Sequence, residues 1–161
     1  MDTTYLLSIF QELVFLLAVF GFFLVWVLVR GRQSIVNLIF GLYLALLISL
    51  EFPYYDKFLP NGASEQTVAI GKLIIFAIFT TIATILVARV MPDAYREKRF
   101  ETLFKKILLV LAATILIMIY SFHVLPVTEF VTPGTPIASL FAHKEWFFWW
   151  LLLPMVFLYF N

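Results

Sequence analysis

The chain has no cysteine, which removes disulfides, thiolate nucleophiles and cysteine-based metal sites and leaves the redox compartment undefined. Charge is scarce: 13% of 161 residues are charged and the net charge is +1, so the overall balance implies no nucleic-acid partner. Only six glycines are present, scattered, and none builds a phosphate-cradling loop. Ser8, Ser34, Ser49, Ser64, Ser121 and Ser139 include no G-x-S-x-G, and no paired carboxylates share a predicted face with a histidine. These absences point away from catalysis. A non-enzymatic chain without a cofactor is expected.

Apolar residues fill the space, at 63% of the chain with a mean hydropathy of +1.02. Runs of about 18 or more apolar residues are long enough to cross a bilayer as helices. Apolar spans are predicted over 6–29, 35–50, 68–90 and 107–122, and a short fifth, broken only by Pro154, over 146–160. The expected fold is an all-α polytopic membrane bundle of four long transmembrane helices plus a short fifth. At this length it forms a single transmembrane domain over 1–161. No basic residue precedes the first run and no small-residue cleavage site follows it, so that run is expected to stay in the mature protein.

The connections are brief. Arg30-Gly31-Arg32-Gln33 reads as a basic turn, and Pro53, Pro60 and Asn61-Gly62 rule out a continuous helix between the second and third runs. The most polar stretch is 91–106. Phe100, Leu103, Phe104 and Ile107 form one apolar stripe there, flanked by Arg96, Lys98, Arg99, Lys105 and Lys106. This predicts a basic amphipathic helix on the membrane surface, leading into the fourth span. It is a candidate for docking a partner or anionic lipid headgroups. Thr135-Pro136 is a possible start of a further helix.

Eight of the eleven Lys and Arg residues lie in the Arg30–Arg32 turn and the Arg89–Lys106 segment. Basic loops resist translocation, so both segments are expected inside and the N-terminus outside. Trp146, Trp149 and Trp150 would then form an aromatic belt at the outer interface.

Few residues carry candidate chemistry. Glu12 is a possible intramembrane acid, although Leu13 to Val29 already supply 17 apolar residues, which favours placing Glu12 at the interface. Lys72 and Arg89 sit near opposite ends of the third run, where long side chains snorkel to headgroups. Ala77, Thr80, Thr81, Thr84 and Ala88 share one narrow predicted face at about 100° per residue. That face suits a pore lining or, the reading favoured here, a helix-packing seam. His123, Glu129, His143 and Glu145 match no metal-ligand spacing, and no metal is expected.

Val29-Arg30-Gly31-Arg32 after the first run, the order of spans around a basic third connection, and a late Ser/Pro loop before Trp146-Phe147-Phe148 form a recognisable order of parts. In these features the chain resembles the colicin V production protein (CvpA) family of small bacterial inner-membrane proteins. It departs from that family in having no Arg-Gly within Glu101 to Lys106, and only Asp2 stands for its early acidic residue. The resemblance implies a role in envelope maintenance or peptide-toxin export and transfers no site residues. The expected function is a scaffold or subunit of such machinery, partnered by other membrane proteins or by copies of itself. The alternative is a small oligomeric channel or transporter subunit.

Overall fold

A computed structural model describes residues 3–59, 64–91, 103–123, 140–141 and 143–160. Among them the chain forms six helices: α1 (Thr3–Arg30), α2 (Arg32–Glu51), α3 (Tyr55–Phe58), α4 (Glu65–Val90), α5 (Leu103–His123) and α6 (Lys144–Tyr159). The molecule is an all-α bundle. Four of its helices are long and apolar enough to cross a membrane, as in an integral membrane protein. Helix α6 is the short fifth: its 16 residues span about 24 Å at 1.5 Å per residue, less than a typical hydrocarbon core of roughly 30 Å.

A single residue separates α1 from α2. Gly31 has φ 82°, in the left-handed region that glycine enters without penalty, and this reverses the chain within one position. The turn is stapled from both sides. The Gly31 amide donates to the Val27 carbonyl at 3.0 Å, and Trp26 Nε1 donates to Ser34 Oγ at 3.1 Å. Ser64 caps α4 by accepting from the Thr67 amide at 3.3 Å, satisfying one of the donors that a helix start leaves open. Between α2 and α4, Phe52 gathers Tyr54, Tyr55, Phe58 and Phe79 around its ring, so the short connection is held by aromatic contacts.

Helices α2 and α5 form the inner layer. Helix α2 packs against α1, α4 and α5, and α5 packs against α1, α2 and α6. Five consecutive residues of α5, Ala112 to Leu116, are buried, which requires neighbours on all sides. Helix α1 turns one stripe inward: Glu12, Leu16, Val19, Phe20, Phe23 and Val27, at helical spacing. Leu16, Val19 and Phe20 line the core that Phe23 and Val27 complete.

Contacts fix the directions of the helices. Gly41 meets Thr84 and Phe52 meets Phe79, so α2 and α4 run antiparallel. Tyr120, near the end of α5, donates from its hydroxyl to the Lys72 carbonyl near the start of α4 at 2.8 Å. Thus α2 and α5 begin at one end of the bundle, the basic end, while α4 begins at the other. The far end is closed by α6, where Phe141 stacks on Phe122 with ring centroids 5.9 Å apart and His123 meets the Phe147 ring at 4.5 Å.

The predicted runs fall within, or one residue from, the helices observed. The apolar stripe before the fourth span divides: Leu103, Phe104 and Ile107 belong to the exposed start of α5, while Phe100 lies outside the described residues. The predicted start at Thr135-Pro136 also lies outside them.

Candidate functional site

The small residues of α4 do not act as one face. Thr80 and Thr84 turn toward α2 and are half-buried, whereas Ala77, Thr81 and Ala88 are exposed. The side of α4 against the bundle runs through Ala69, Phe76, Thr80, Ala83 and Val87. Counting about 100° per residue, its centre lies roughly 90° from the centre of the predicted face. The reason is Phe76, whose ring stacks on Tyr120 at 3.6 Å between centroids and draws that side of α4 inward.

The opposing surface of α2 carries a pattern of its own. Asn37, Gly41, Ala45 and Ser49 recur every fourth residue and all are buried. Gly41 lies so close to α4 that a Cβ there would stand 2.9 Å from the Thr84 amide nitrogen and 3.0 Å from its Cα. This is backbone-to-backbone approach of the kind that small-xxx-small spacing permits. Gly41-x-x-x-Ala45 in the second run was the available clue.

Within this seam the hydroxyls of Ser49, Thr80 and Thr84 are enclosed and make no hydrogen bond among the described residues. A hydroxyl lining an open aqueous path keeps accessible surface. These have almost none. Thr81, on the open side, donates back to the Ala77 carbonyl at 2.8 Å, satisfying itself within its own helix.

Glu12 belongs to the inward stripe of α1 and is only 4% exposed. Its depth is a separate matter: it precedes Arg30 by 18 positions, about 27 Å along the helix. Glu12 therefore combines a level near the far edge of the span with a side chain turned into the protein.

Arg32, which the sequence marks only as part of the basic turn, is 3% exposed at the first position of α2. Beside it Gln33 Nε2 donates to Asn37 Oδ1 at 3.0 Å. Lys105 and Lys106, in the first turn of α5, are half-buried. Arg96, Lys98 and Arg99, the other residues proposed for lipid or partner docking, lie outside the described residues. Lys72 is half-buried with its ammonium 5.4 Å from the centre of the Tyr55 ring, and Arg89 is exposed.

At the far end, Trp146 and Trp149 are exposed, but Trp150 is half-buried, donating from Nε1 to the Leu140 carbonyl at 2.9 Å. His123 Nε2 pairs with the Phe141 carbonyl at 3.0 Å, and His143 is exposed at the cap of α6. No three potential metal ligands gather among the described residues, and Glu129 lies outside them.

No protein-family model matches this chain, and no match was found among curated proteins or among solved structures.

Proposed function

We propose that the chain is a non-enzymatic integral membrane protein that serves as a scaffold or subunit of a larger membrane assembly. Envelope-maintenance or export machinery of a bacterial inner membrane is the setting that the resemblance suggests. The observation that carries this reading is the unequal use of the helices. In the apolar windows of α2 and α5, 50% and 56% of residues are buried, against 17% for α1 and 11% for α4. After Thr80 and Thr84 are spent on α2, α4 still shows Ala77, Thr81 and Ala88 to its surroundings. Small residues on an open side are what a second transmembrane helix needs for close approach.

The enclosed hydroxyls of Thr80 and Thr84 favour this reading over a channel, whose path those residues would have to line. The basic end faces the cytoplasm in this proposal and the start of α1 faces out, following the excess of Lys and Arg.

Photo-crosslinking in native membranes tests the proposal. A crosslinker at Thr81 is expected to trap one defined membrane protein, while the same group at Phe22, exposed on α1, traps mainly lipid. Equal, lipid-only labelling from both positions would contradict it.

A further inference from the structure

At the basic end Arg30, Trp26 and Ser34 form one arrangement across the Gly31 turn. The apolar run of α1 stops at Val29, which puts Arg30 at the level where hydrocarbon gives way to headgroups. Its guanidinium lies 5.5 Å from the centre of the Trp26 ring. Trp26 is itself fixed, because its Nε1 donates to Ser34 Oγ across the Gly31 turn. An arginine laid on an indole face keeps its N–H groups directed outward along the guanidinium edge, and that edge fits two phosphate oxygens. Arg30 is exposed, so this edge is reachable.

The charge expected on this side of the membrane selects the kind of phosphate. The excess of Lys and Arg assigns the Arg30–Arg32 turn and the Arg89–Lys106 segment to one side, and by sequence they carry eight Lys and Arg residues against Asp93, Glu97 and Glu101, a surplus of five positive charges. That surplus remains even when each of those acids is paired within the chain. A zwitterionic headgroup leaves it uncompensated, whereas an acidic one offsets it.

We propose that Arg30, positioned by Trp26, is a seat for the phosphate of an acidic phospholipid such as phosphatidylglycerol. This goes beyond the scaffold reading and does not depend on it. Trp26 acts here as a positioning residue, and Ser34 as its anchor.

The test uses the full chain purified in mild detergent, with thermal unfolding followed as lipid is added. Phosphatidylglycerol is expected to raise the melting midpoint saturably by about 5 °C, the scale of a ligand well above its dissociation constant. Phosphatidylcholine and glycerol 3-phosphate at equal concentration should not. Arg30→Gln, at an exposed position, should fold as the parent does and need roughly tenfold more phosphatidylglycerol, the loss expected for one charge-assisted contact. Trp26→Leu should weaken the response although Arg30 remains, and Arg30→Lys should restore part of it. An equal shift with phosphatidylcholine, or an unchanged response in Arg30→Gln, would overturn the proposal. A full shift with glycerol 3-phosphate would overturn the lipid as the source of the phosphate.

Discussion

Gly41 of α2 and Thr84 of α4 meet backbone to backbone: a Cβ on Gly41 would stand 3.0 Å from the Thr84 Cα and closer still to its amide nitrogen. A flexible neighbour can move aside, but helix backbone cannot do so without separating the two helices. Gly41→Leu should therefore destabilise the chain by about 1–3 kcal/mol or more, the usual cost of overfilling a packed interface. Gly21, around which a Cβ would meet nothing within 4 Å, is the control, and Gly21→Leu should unfold at the same point as the parent. Thermal or SDS-induced unfolding in detergent measures both.

The divided face of α4 gives a second contrast. Thr84→Leu places a larger side chain in the seam and should lower stability by about 1–3 kcal/mol. Thr81→Leu lies on the open side and should change it by less than about 0.5 kcal/mol. If the two variants behave alike, α4 is rotated from the orientation described. The same unfolding assay reads this.

This contrast also marks how much the sequence disclosed. Apolar length revealed the helices, because span length answers to bilayer thickness and hardly at all to partners. The face of α4 was legible as a set of small residues, yet its direction was not. One large ring, Phe76, stacking on Tyr120 outweighs several threonines in setting which side turns inward. Gly41 was legible and passed over, whereas the burial of Arg32 depends on how helix ends assemble, which no local pattern encodes.

Tyr120 joins two helices in two ways, by stacking on Phe76 and by donating to the Lys72 carbonyl. Tyr120→Phe removes only the hydrogen bond and should cost about 0.6 kcal/mol, with an upper range near 1.7 kcal/mol, as such bonds do in membrane bundles. Tyr120→Ala removes both and should cost about 3–5 kcal/mol. Unfolding free energies from SDS titration separate the two contributions.

Tyr43 of α2 donates from its hydroxyl to the Leu151 carbonyl of α6, one turn before Pro154. Pro154 has no N–H for the Trp150 carbonyl, next to Leu151, so this turn of α6 lacks one bond of its own ladder and the Tyr43 hydroxyl braces it from α2. Tyr43→Phe should loosen α6, exposing its end to protease. In a Pro154→Ala background the same change should matter less, with a coupling of at least about 0.5 kcal/mol in a double-mutant cycle. Additive effects would show that the bond and the proline act separately.

The proposed function makes this chain part of a larger membrane assembly. Affinity purification from native membranes in mild detergent, followed by mass spectrometry and native mass, tests it most directly. A stoichiometric second membrane protein is expected, lost when Thr81 on the open side of α4 is replaced by tryptophan. A homogeneous oligomer of this chain alone that conducts ions after reconstitution would contradict it.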